Sequence, residues 1–201
     1  MILVAGLIGL AACNDSDDKQ RDNIIMFDHI DGYGLVDERD AYILFEYRMR
    51  DYVKYQIAYV ACTCRAAEVN FWKSAYVEIG TNNHELRYIS FDRDSTGKYT
   101  AGFWGDSDPI PPYGNTELPM NEWITKADFD EHFIPWLLGK SLSDFDGISL
   151  FTNAVYPGGH QNSETIAEQD LVDMFTGASV TSNNMIRVLI ALLQYHENKY
   201  A

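Results

Sequence analysis

Polar and apolar residues alternate along the first half of this chain, and near its end the apolar residues recur at helical spacing. Val53, Tyr55, Ile57 and Tyr59 alternate with Lys54, Gln56 and Ala58, inside a stretch from 42 to 59 rich in Tyr, Val, Ile and Phe. A period of two puts every second side chain on one face, so the spacing predicts a strand with one buried side. Ala75, Val77 and Ile79, set against Tyr76 and Glu78, predict another over 74–79. Residues 87–91 and 99–104 flank the polar run Asp92-Arg-Asp-Ser-Thr-Gly-Lys98 and read as a hairpin. Met185, Val188, Leu189, Leu192 and Leu193 fall at i, i+3, i+4, i+7 and i+8, the stripe of an amphipathic C-terminal helix. Thr181, Ser182 or Asn183 is placed to cap it.

Between the hairpin and that helix the pattern is broken. Residues 105–119 hold four Pro, two Gly and three acidic residues, which cannot continue a helix or a central strand. Thr125 then predicts a helix start, with Asp128 three residues on. Phe129, Phe133, Trp136 and Leu137 supply its apolar face, Pro135 a kink and Gly139 its end. A further strand is expected at 148–155 and a turn at Tyr156-Pro-Gly-Gly-His160. The hairpin loop resembles part of an EF-hand, with Asp92, Asp94, Thr96 and Gly97 in ligand or turn positions. Phe103 replaces the bidentate Glu, so a plain turn is expected. Strands followed by a few helices give an α+β fold, an antiparallel sheet with helices packed on it.

Charge and cysteines narrow the function. With 30 acidic against 15 basic residues the formal charge is −15, which disfavours nucleic acid and charge-driven adhesion to anionic membranes. The opening run, residues 1–13, is too short to span a bilayer as a helix of about 20 residues. It ends in Leu10-Ala11-Ala12-Cys13, which resembles a bacterial lipobox. The reading is therefore a lipoprotein signal segment over 1–12, lipidated Cys13 and an acidic tether over 13–22, and a single domain over 23–201. A secretory signal opens with Lys or Arg; their absence here is the mark of a start site placed too late. The other cysteines, Cys62 and Cys64, share a face if extended. A strained disulfide, two unpaired thiols and a redox or metal-binding pair all remain open, although two thiolates alone do not complete a zinc site.

The chemistry concentrates at Asp173-Met-Phe-Thr-Gly-Ala-Ser179, directly before the final helix. Gly177 and Ala178 leave room for a bulky group to approach the backbone. The helix start behind Ser179 offers free N–H groups and a positive dipole end, both favourable to phosphate. Asp173, Thr176, Gly177, Ala178 and Ser179 fill the slots of Asp-x-x-[Ser/Thr]-Gly-Ala-[Ser/Thr], and the segment resembles the flavinylation motif of FMN-binding domains. Thr181 and Ser182 repeat the hydroxyl pair often found behind it.

The resemblance implies FMN joined to Ser179 by a phosphodiester, with Asp173 and Thr176 recognised by a separate flavin transferase that uses FAD and Mg²⁺. It also implies that Trp104 or Tyr113 stacks on the flavin and that His160 approaches it. The expected function is electron transfer by a membrane-anchored extracytoplasmic flavoprotein, an electron carrier more than a stand-alone enzyme. Its partners would be redox proteins or a quinone-linked membrane complex. A flavin-dependent reductase with its own acceptor is a variant of this reading. The alternative is a non-redox surface lipoprotein that binds a small ligand or an envelope partner through the 105–119 loop. No nucleophile elbow, zincin helix or P-loop occurs, and the five His show no ligand spacing, so no catalytic or metal residue is assigned.

Overall fold

A computed structural model describes residues 23–31, 35–63, 66–91, 129–148, 150, 172 and 180–201, without the side chains of 62, 63, 66–71, 129, 180 and 181. Five strands form one antiparallel sheet in sequence order: β1 (Ile24–Ile30), β2 (Val36–Arg48), β3 (Tyr52–Thr63), β4 (Ala66–Gly80) and β5 (Leu86–Phe91). Each strand pairs with the next, the arrangement that tight turns between antiparallel neighbours allow. The β2–β3 turn closes with Met49 N–H on the Tyr52 carbonyl at 2.8 Å. In the β4–β5 turn, His84 adopts a φ of 53° and its N–H reaches the Gly80 carbonyl at 3.1 Å. A Cβ at Gly80 would press on the exposed Asn83 side chain, which would have to move aside.

The alternation in β3 and β4 builds the floor of the core. Val53, Tyr55, Ile57, Tyr59 and Ala61 are fully buried, as are Val77 and Ile79, while Lys54 and Tyr76 face outward. Ile25 and Phe27 of β1, Ala41 and Ile43 of β2, and Ile89 and Phe91 of β5 extend the same face. A bulge between Ile43 and Phe45 changes the phase of β2, leaving Leu44 and Phe45 exposed and turning Glu46 towards the helix side.

Helical structure near residue 130 is a π-helical turn (Phe129–Phe133) followed by α1 (Ile134–Leu137). Pro135 lacks the N–H an α-helix needs, consistent with this short and irregular form. Gly139, at φ +85°, ends it as expected, and its N–H bonds the Leu86 carbonyl at 2.7 Å. Leu86 N–H in turn reaches the Lys140 carbonyl at 2.8 Å, so this turn covers the edge of β5 where β5 begins. Residues 148 and 150 are not strand, correcting the start of the expected 148–155 strand. Its remainder lies outside the described residues, as do 92–128, with the hairpin's second arm, the EF-hand-like loop and Thr125.

Helix α2 (Val180–Tyr200) lies across the inner face and completes an α+β fold. Met185, Val188, Leu189, Leu192 and Leu193 are all at most 1% exposed, the predicted stripe. The cap expected at Thr181, Ser182 or Asn183 is overturned, because the chain is already helical at Val180. Ser182, Asn183 and Asn184 are instead fully buried. The Asn184 amide donates to the Ile30 carbonyl and accepts from the Ile30 N–H, both at 2.7 Å. Asp31 N–H bonds the Leu35 carbonyl within the β1–β2 ladder, so the neighbouring Ile30 groups point away from β2 to the sheet edge. Asn184 therefore stands where another strand would.

The other end of α2 is fixed by side chains. Tyr55 Oη donates to His196 Nδ1 at 2.8 Å, and His196 Nε2 donates to the Gly80 carbonyl at 3.0 Å, which fixes the neutral tautomer. Glu46 accepts from Tyr195 at 2.8 Å, from Lys199 at 2.9 Å, and from Tyr200. Partial burial opposes ionisation of Glu46, but these three donors hold its carboxyl below the usual range.

Two predictions follow from these anchors. Asn184→Leu removes both buried hydrogen bonds to Ile30, each worth ~1–3 kcal/mol, so urea unfolding should show a loss of about 3 kcal/mol. Burial lowers His196 to about 4 from 6.5, outweighing the Gly80 hydrogen bond that favours its charged form. A depressed histidine pKa means the unfolded chain binds the extra proton first. The His196 contribution is thus complete above pH 6.5 and is lost as pH falls towards 4. Unfolding between pH 7 and 5 should show this slope in the native protein and a shallower one in His196→Gln.

Candidate functional site

Most residues singled out in the sequence, namely Asp173, Thr176, Gly177, Ala178, Ser179, Trp104, Tyr113, His160, Cys13 and Cys64, lie outside the described residues. Cys62 falls in β3 opposite Asn70, next to a bulge before Thr63. Thr181 belongs to the backbone of α2. What the structure shows is the ground that adjoins the heptapeptide: the first half of α2 and the sheet face beneath it.

This ground is unusually polar for a buried place. Ser182 is fully buried, yet its Oγ has no hydrogen-bond partner among the described residues. Asn183 Oδ1 accepts from Arg187 Nε at 2.6 Å. Arg187 is half-buried beside a groove of about 250 Å³ between β1 and α2, where Asp28 and Glu38 stand opposite it. The groove thus has a cation on one wall and two carboxylates on the other.

Deeper on the sheet face, His29 is 1% exposed, with Nδ1 3.3 Å from Asp37 Oδ1. Asp37 also holds Arg39 at 2.6 Å. Burial lowers the His29 pKa, and the Asp37 hydrogen bond only partly opposes this, so the ring is neutral near pH 7. A carboxylate only accepts, so His29 Nδ1–H donates to Asp37, which leaves Nε2 as an acceptor. That Nε2 is buried without a partner among the described residues.

Phe27 connects His29 to Tyr59 through edge contacts, with centroids 6.1 and 6.2 Å apart. The Tyr59 phenol is fully buried, its pKa is raised by burial, and its Oη also lacks a partner among the described residues. Lys73 pairs with Tyr59 across β3 and β4 and sets its ammonium 4.8 Å above the Phe91 ring.

Near the start of the 21-residue α2, Ser182 thus contributes a buried hydroxyl without a hydrogen-bond partner among the described residues. Among the described residues no group of three or more His, Cys, Asp and Glu is placed to hold a metal ion. No described helix is long and apolar enough to cross a membrane.

Sequence reasoning named Ser182 only as part of the hydroxyl pair behind the heptapeptide and as a cap, and it missed Arg187, His29 and Tyr59. The period-two pattern carried a signal for Tyr59, since it puts that hydroxyl on the inward face of β3. Because Ser182 Oγ makes no hydrogen bond among the described residues and Ala is the better helix former, Ser182→Ala should change the stability of the unmodified protein by less than about 0.5 kcal/mol. Thermal unfolding beside Asn184→Leu checks the contrast. Compared with protein families, curated proteins and solved structures, the chain matches none.

Proposed function

We propose that this chain is a lipid-anchored, extracytoplasmic electron carrier holding FMN on Ser179 through a phosphodiester. The observation that carries the reading is the heptapeptide Asp173–Ser179, which leads directly into a helix anchored to the sheet at both ends. Its five fixed positions agree with the flavinylation pattern of FMN-binding domains. The anchoring gives an attached group a fixed platform, and the buried polar ground beside it suits a polar ligand.

Ser179 is then the acceptor for a separate transferase, and no residue of this chain has to activate its hydroxyl. Gly177 and Ala178 give clearance, while Asp173 and Thr176 order the segment for that enzyme. The first-turn N–H groups of α2 and Ser182 Oγ would hold the phosphate. Bound FMN supplies one- and two-electron redox chemistry; the protein supplies orientation and tuning. A covalent link suits a protein outside the cytoplasm, where a dissociating cofactor is lost. Cys13 would tether the domain to the membrane, and the −15 charge favours basic partner surfaces.

Coexpression with a flavin transferase tests the reading. The purified domain should be yellow, with an intact mass raised by FMN less one water, and Ser179→Ala should abolish both. A colourless protein of unchanged mass would instead support a surface lipoprotein that binds a small ligand.

A further inference from the structure

The outer edge of β1 is filled at Ile30 and open before it. In the ladder with β2 the odd-numbered residues of β1 exchange hydrogen bonds, since Asp31 N–H reaches the Leu35 carbonyl and Ile43 N–H the Asn23 carbonyl. The N–H and C=O groups of Met26, Asp28 and Ile30 therefore point outward. Asn184 takes those of Ile30, and no described strand lies beside Met26 and Asp28. Such an edge is a template for an added strand.

The groove of about 250 Å³ lies along this edge, with Met26, Phe27 and Asp28 on its strand side. Its other wall is one stripe of α2, because Arg187, Ile190, Ala191 and Gln194 fall at i, i+3, i+4 and i+7. From Arg187 to Gln194 the helix rises about 10 Å, the length of about three extended residues. Asn184 bars the groove at the Ile30 end, and Arg187 stands nearly one helical turn inside the bar.

The charges on both walls are incomplete. Arg187 Nε bonds buried Asn183 at 2.6 Å, but the guanidinium makes no ion pair with any described residue. Burial disfavours its charge, and Asp28 supports it only through space. Asp28 and Glu38 face each other across β1 and β2, two like charges with no cation paired to either among the described residues.

The geometry points to an extended segment added to the open edge of β1, the C-terminus of a partner polypeptide. Its terminal carboxylate lies on Arg187, its last side chain is apolar and covers Phe27 and Ile190, and its penultimate residue is basic and faces Asp28 and Glu38. A segment running parallel to β1 must stop before Asn184, so it ends at the guanidinium, whose fork matches a carboxylate with two hydrogen bonds. Alternate side chains of a strand take opposite faces, and an inward last residue therefore puts the one before it outward, beside the two carboxylates. A second copy of this chain fits worse, because β1 against β1 would bring Asp28 and Glu38 towards their own copies. This recognition is separate from flavin attachment at Ser179.

The test uses the full chain made without a flavin transferase and a fluorescein-labelled hexapeptide, Gly-Ser-Thr-Val-Lys-Leu, with a free C-terminal carboxylate. Fluorescence anisotropy should show saturable binding that weakens at least about tenfold when the C-terminus is amidated or when Lys is replaced by Glu. Arg187→Met should lose the preference for carboxylate over amide and keep that for Lys over Glu. Asp28→Asn combined with Glu38→Gln should do the reverse. Each preference is a ratio measured on one protein, so a loss of stability does not imitate it, and the unmutated protein carries the amide comparison should Arg187→Met unfold. Equal binding of acid and amide, or no binding at about millimolar peptide, overturns the assignment. A dimer by light scattering that excess peptide does not dissociate would give the edge to a second copy and overturn it as well.

Discussion

The pair of 2.7 Å hydrogen bonds between the Asn184 side chain and the Ile30 backbone sets the geometry on which the rest of the molecule depends. A five-stranded meander has one apolar face to bury and two edges to protect. Helix α2 covers that face, and Asn184 makes the same helix protect the β1 edge. The amide of Asn copies the donor and acceptor of a peptide group, so among the described residues β1 meets Asn184 where a further strand would pair. At the opposite edge the backbone of Gly139 and Lys140 treats Leu86 in the same way. A stripe of Leu, Val and Met fixes which face of α2 is buried, but hydrophobic contact alone tolerates sliding. The Asn184 contact removes that freedom.

Charge and aromatic chemistry complete the attachment at the far end. Glu46 is turned to the helix side by the bulge before Phe45, and there it gathers Tyr195, Lys199 and Tyr200. Lys199 also lies near the C-terminal end of the helix dipole, where a cation is favoured. A carboxylate with three donors loses less on partial burial than one with a single partner. His196 sits deeper and joins β3, the β4 turn and α2 through two hydrogen bonds. The helix is thus held by an amide at one end and by a carboxylate and an imidazole at the other, and its first turn cannot move independently of the sheet.

Elements whose partners repeat at a fixed period were legible in the sequence. The alternation through Tyr59 and Ile79 and the stripe from Met185 to Leu193 each report a face, and the structure buries those faces. Pro135 and Gly139 marked a short, terminated helical segment because their backbone limits act locally. The start of β2 was not legible: Val36-Asp-Glu-Arg-Asp40 is exposed on both faces and carries no period for a burial argument to detect. The polar run Ser182-Asn-Asn184 looked like a cap because such residues usually satisfy the nearest backbone groups. Asn184 instead satisfies a strand 154 positions away, a partner that local spacing does not encode. The same limit hid the contact of Phe27 with Tyr59, which forms only when β1 and β3 come together in the sheet.

The order of the strands gives the anchoring of α2 a kinetic meaning. Each strand pairs with the next in sequence, so the sheet closes through short loops and costs little chain entropy. The contacts of α2 with Ile30, Glu46 and Tyr55 span 141 to 154 residues. Docking of α2 therefore closes the longest loops among these contacts, whereas the strands pair through local ones.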